Sequence, residues 1–114
     1  MRRETRADGA LLLRRLASWC DELGEQEKSE RIQGLARELA AGPGAARERQ
    51  LWADVVRELR GGHGTIGDRY LAHPDGSPDP VRSAELLSVL RQLRRAARRS
   101  LPWLTYRRLW KVGR

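Results

Sequence analysis

Apolar residues recur three and four positions apart along most of this chain, the period of a helix with one buried face. Leu12, Leu16, Trp19, Cys20 and Leu23 form the first such stripe. Ahead of it, Thr5-Arg6-Ala7-Asp8 has the spacing of a capping box, so the helix is expected to open at Thr5 and to stop at Gly24. A second stripe, Ile32, Leu35, Ala36 and Leu39, runs into Gly42-Pro43-Gly44, a glycine-then-proline stop. Leu51, Trp52, Val55, Val56 and Leu59 form a third, which ends at Gly61-Gly62. Short connections between these helices favour antiparallel neighbours.

Beyond Gly61 the periodicity lapses. Ile66 to Ala72 suits a short extended segment, and the run from His73 to Pro80 is dense in turn formers. Asp79-Pro80 then opens a fourth helix: the Asp caps it, and a proline at the first helical position forfeits no needed amide. At 100° per residue, Leu86, Leu90, Leu93, Ala97 and Leu101 share one face. Arg91, Arg94, Arg95, Arg98 and Arg99 share the opposite one. Pro102 disfavours helix at Leu101, and a short last helix from Trp103 to about Lys111 would align Trp103, Tyr106 and Trp110. The expectation is a single all-α domain over residues 1–114. It has four main helices in a small bundle, a short C-terminal helix, and a Gly-rich irregular loop at 61–80.

Composition narrows the class. A hydrophobic share of 39% against 33% charged residues suits amphipathic helices better than a buried sheet. The lone Cys20 excludes an intramolecular disulfide and a multi-cysteine metal site, and it falls on the apolar face of the first helix as a buried thiol. These features suit a reducing cytoplasm. Arg2-Arg3 and Ala17-Ser18-Trp19-Cys20 invite export readings, but Arg14-Arg15 interrupts the only nearby apolar run, and no stretch reaches transmembrane length.

Four glycines crowd into Gly61-Gly62-His63-Gly64-Thr65-Ile66-Gly67-Asp68. Glycine adds no apolar area and loses the most backbone entropy on folding, so the segment is expected to take a backbone path other residues resist. Its amides would suit an anion nest, yet it follows a helix C-terminus, where the dipole repels anions, and no Gly-Lys-Ser/Thr follows. The plainer reading is a helix stop in which Thr65 and Asp68 tie the loop to its own amides. His63, Asp68, His73, Asp75 and Asp79 also fall in this region, but at no established metal-ligand or acid–base spacing. An enzyme using His63 and Asp68 is the remotest reading, and no metal or cofactor is implied.

The segment resembles the Gly-Gly-Met-Gly-Ser-x-Asn-Asp motif of a family of small bacterial proteins that share a domain of unknown function. Gly61, Gly62, Gly64, Asp68 and the apolar Leu71 match, Thr65 stands for Ser, His63 replaces Met and Gly67 replaces Asn. With the two helices ahead of the motif, the resemblance covers roughly residues 10–72. It implies a compact, mostly helical fold and an immunity or antitoxin-type protein-binding role, and it supplies no catalytic residues.

Charge is the other signal. The formal net charge is +8, and the excess lies wholly in the segment 86–114. Nine basic residues and no acidic one follow Glu85, against fourteen basic and fifteen acidic up to and including it. Arg91–Arg95 and Arg94–Arg98 are like-charge pairs four apart, each destabilising a helix by a few tenths of a kcal/mol. Something must offset them. Glu22, Glu25, Glu27, Glu30 and Glu38 are internal candidates. An external polyanion is the other. Arginines beside Trp103, Tyr106, Arg107, Arg108 and Trp110 suit phosphates and stacked bases. An anionic membrane surface is a less favoured partner, and core packing is the alternative fate of the aromatics. The function expected is a non-enzymatic interaction module whose basic C-terminal surface binds nucleic acid or an acidic protein.

Overall fold

The computed structural model describes residues 3–60 and 75–111, which form five helices and no strand. They are α1 (Arg3–Glu22), α2 (Gln26–Ala40), α3 (Ala45–Arg60), α4 (Pro80–Ser100) and α5 (Trp103–Lys111). The chain is all-α over these residues. Gly61, Gly62, His63, Gly64, Thr65 and Asp68, together with the extended segment expected at 66–72, lie outside the described residues.

Local chemistry explains where the helices stop. After α1, Gly24 takes φ +81°. Its N–H donates to the Asp21 carbonyl at 3.1 Å, while the Glu25 N–H reaches back to Cys20 at 2.8 Å. Those two bonds are a Schellman closure, and the left-handed residue between them favours glycine. Gly42, at φ +75°, ends α2 in the same region of backbone space, and Pro43 follows it. Asp79 caps α4 as expected, accepting from the Arg82 N–H at 3.1 Å with Pro80 at the first position. Leu101 leaves the helix for extended backbone (φ −112°, ψ 147°), as the following Pro102 requires. The start of α1 departs from expectation. The helix is already formed at Arg3, so Thr5 lies within it and not at its start.

The core sits where these elements face one another. Leu13, Leu16, Ala17 and Cys20 from α1 meet Ile32, Ala36 and Leu39 from α2. Leu51, Trp52, Val55 and Val56 of α3 and Leu86, Val89, Leu90 and Leu93 of α4 join the same cluster. Fully burying side chains of this size contributes about 1.5–3 kcal/mol each. α1 packs most extensively on α2 and also on α4; α3 packs on α2, α4 and α5. The buried stripe of α1 runs through Leu13, while Leu12 is only half-buried. Close approach at Gly9 helps set that rotation: a Cβ there would stand 3.0 Å from both Leu39 and the Trp52 ring.

Two glycine replacements should move stability in opposite directions. Gly34 sits inside α2, and a Cβ there would meet only the far end of the Arg37 side chain at 4.0 Å, an ordinary contact, so Gly34→Ala should raise stability by about 1 kcal/mol through helix propensity. Gly24→Ala forces an L side chain into the left-handed region and should lower it by about 1 kcal/mol. Urea denaturation of both variants checks the signs.

Candidate polyanion-binding surface

Burying the apolar stripe of α4 turns Arg91, Arg94, Arg95, Arg98 and Arg99 outward, and all five are exposed. The carboxylates of α1–α3 do not neutralise them. Glu22 binds Arg82, Glu38 binds Arg47 at 2.8 Å, Asp54 binds Arg57 at 2.7 Å, and Glu58 binds Arg31 at 2.7 Å and Lys28 at 3.8 Å. Glu85, near the start of α4, turns to Arg15 at 3.9 Å. Among the described residues, none of the five arginines has a carboxylate within ion-pair distance.

The five divide into two rows. Arg94 and Arg98 stack on aromatics of α5: Arg94 lies 4.9 Å from the Trp110 ring centroid and Arg98 lies 5.9 Å from that of Tyr106. One step up α4 corresponds to one step down α5, so α5 folds back antiparallel after the Leu101-Pro102 corner. A guanidinium over an aromatic face contributes about 0.5–2 kcal/mol, and that attraction offsets the repulsion between these two arginines. Arg91, Arg95 and Arg99 form the second row, four residues apart, with no ring over them among the described residues.

α5 therefore has two kinds of aromatic. Tyr106 and Trp110, with Leu109, pack against the core, and the Tyr106 and Trp110 rings lie 5.9 Å apart, tilted by 59°. The stripe expected to include Trp103 breaks there. Trp103 is 65% exposed even with Arg107 lying 5.2 Å over it, and Leu104 beside it is 62% exposed. Arg107 and Arg108 are exposed too. An exposed tryptophan next to arginines can stack on a flat ring while the cations meet phosphate.

The other candidate chemistry is not supported by a built site. Asp75 accepts from both the backbone N–H and the hydroxyl of Ser77, at 2.9 and 2.6 Å. These bonds hold its carboxyl below the usual carboxylate range and explain it as a turn residue before Gly76, at φ +89°. Asp79 serves as the α4 cap. His63, Asp68 and His73 lie outside the described residues, and no group of three metal-ligating side chains forms among those described. Burial pushes the Cys20 thiol up to about 11, the direction opposite to an activated nucleophile.

Arg95 and Arg99 also border a cleft of about 740 Å³ between α1, the start of α3 and the second half of α4. Arg6 and Arg49 join them there. Sequence reasoning missed both, because neither stands in a basic cluster on its own helix. The sorting of arginines between α5 and solvent had one sequence signal: a corner at Leu101-Pro102 makes positions on α4 and α5 pair in reverse order. No family model, no curated protein and no solved structure matches this chain. None of its described helices is long and apolar enough to cross a membrane.

Two outcomes follow from this geometry. A double-mutant cycle on Arg94→Ala and Trp110→Leu should give a coupling of about 0.5–2 kcal/mol in urea denaturation; additivity would show that the stack contributes nothing. The Cys20 contribution to stability should be complete below pH 9 and lost as pH rises through about 11, because only the unfolded thiol ionises freely in that window. Cys20→Ala should flatten that part of the pH–stability curve, and a thiol reagent at pH 8 should label the native protein far more slowly than the denatured one.

Proposed function

We propose that this protein is a small helical bundle that binds a polyanion, foremost a nucleic acid strand, on the surface formed by the outer face of α4 and by α5. The observation that carries the reading is the row Arg91, Arg95 and Arg99, three exposed guanidinium groups at one-turn spacing with no carboxylate partner among the described residues. A helix keeps like charges so placed at a loss of a few tenths of a kcal/mol per pair, and phosphates remove that loss while releasing their own counterions. Arg107 and Arg108 extend the cationic area onto α5. Exposed Trp103 favours a single strand, whose unstacked bases offer a face to an aromatic ring. Arg94 and Arg98 act mainly to hold α5 beside this row, and the glycine segment would position α4.

A second reading, an acidic protein partner of the immunity or antitoxin type, draws on Trp103 and Leu104. Two large exposed apolar side chains inside a cationic rim also suit the core of a protein interface.

Fluorescence anisotropy with labelled single- and double-stranded DNA and RNA tests the proposal. Binding should be tightest to single strands and fall steeply with salt. Combining Arg91→Ala, Arg95→Ala and Arg99→Ala should weaken it and reduce the log–log salt slope by about two to three, close to one per lost phosphate contact, with the melting temperature maintained. Absence of strand binding at low salt would overturn the proposal and leave the protein-partner reading, which expects a stoichiometric complex that survives moderate salt.

A further inference from the structure

We infer that the cleft between α1, α3 and α4 is a binding site for a nucleoside 5′-phosphate, either free or as the phosphorylated end of a strand. Its volume of about 740 Å³ lies within the ~300–1,000 Å³ of small-molecule sites and is too large for a bare phosphate. Its charge is unequal. Arg6, Arg49, Arg95 and Arg99 line it against only Asp8 and Glu48, which leaves a formal surplus of two positive charges. Glu48 is nearly buried, and its carboxylate lies 3.4 Å from Arg6. Arg49, Arg95 and Arg99 have no carboxylate partner among the described residues. They come from two different helices, so their convergence on one cavity is a product of the fold and not of a basic run in the sequence.

Apolar surface lies beneath these cations. Gly9, Leu12 and Ala96 line the cleft, and Gly9 and Ala96 are buried while Leu12 is half-buried. An anion with a flat, largely apolar body satisfies both parts: phosphate oxygens take bidentate guanidinium bonds, and the base lies over the apolar strip or against an arginine plane. Pro43 and Ala45 at the opening of α3 complete the rim, where the positive end of the helix dipole adds to the arginines.

Arg95 and Arg99 belong both to this cleft and to the outer row of α4, so a strand running along the row would bring its end to the cavity. The strand-end form of the inference rests on the strand-binding proposal; the free-nucleotide form does not. Variants away from α4 therefore separate the two. Arg49→Ala removes a cation on α3, and Ala45→Trp fills the cleft from an exposed position.

The first probe is AMP, titrated by isothermal calorimetry against the full chain, with adenosine as the control lacking phosphate. The second is an oligonucleotide carrying either a 5′-phosphate or a 5′-hydroxyl. AMP should bind saturably and adenosine at least tenfold more weakly, and the 5′-phosphate should tighten strand binding by about tenfold. Arg49→Ala and Ala45→Trp should abolish both gains while helical circular dichroism and the affinity for the 5′-hydroxyl strand stay unchanged. AMP binding without any strand binding would uphold the cleft and overturn the strand-binding proposal. Equal affinity for the two strand ends with no saturable AMP binding, or AMP binding unaltered in Ala45→Trp, would overturn the cleft assignment and leave strand binding standing.

Discussion

Leu86, Val89, Leu90, Leu93, Ala96 and Ala97 leave water together, and one helix can bury them only by handing the residues between them to solvent. In α4 those intervening residues include five arginines. The apolar stripe contributes far more to stability than the few tenths of a kcal/mol lost at each like-charge pair, so the helix forms and the repulsion stays with it. α5 answers part of that residual charge. Two of the arginines are drawn under the aromatic rings of α5. The remaining three are left facing water.

This division gives α5 a role beyond its own small share of the core. Nine residues are too few to form a stable helix alone in water, and α5 has no acidic residue in its first turn to favour its dipole. Tyr106, Leu109 and Trp110 anchor it on the core, and Arg94 and Arg98 clasp the two rings from α4. Trp103 and Leu104, nearer the corner, are carried outward by the same docking. The exposed tryptophan thus lies just past the buried Leu101, in the first turn of α5 and short of the residues that anchor that helix.

The cleft has a related origin. Gly9 lets α1 come close to Trp52 and Leu39, and the rotation that follows buries Leu13 in place of Leu12. Leu12, Gly9 and Ala96 then line a space bounded by arginines from three helices. Small residues at 9 and 96 occupy little of that space, and at Gly9 the Leu39 side chain and the Trp52 ring come in close. Such a cavity depends on crossing geometry, which no periodicity along one helix encodes.

The sequence alone determined the five helices and most of their ends, because those depend on interactions within a few residues. Glycines that accept a left-handed backbone, an Asp-Pro start and a proline after Leu101 act locally and are legible as letters. It also determined which residues of α4 would face water, since helical period assigns faces without knowledge of the neighbours. Thr5 misled because a capping box is only a local option, and helix continued past it to Arg3. Three matters were decided by tertiary structure: that Glu22, Glu38, Asp54 and Glu58 pair with Lys28, Arg31, Arg47, Arg57 and Arg82 and leave the α4 row alone, that Arg94 and Arg98 meet rings sixteen and eight residues further on, and that Arg49 joins Arg95 and Arg99 around one cavity. Charges, rings and cavities act across space between elements. Their effects follow from how helices are rotated and crossed, and that arrangement is set by the summed fit of the whole core.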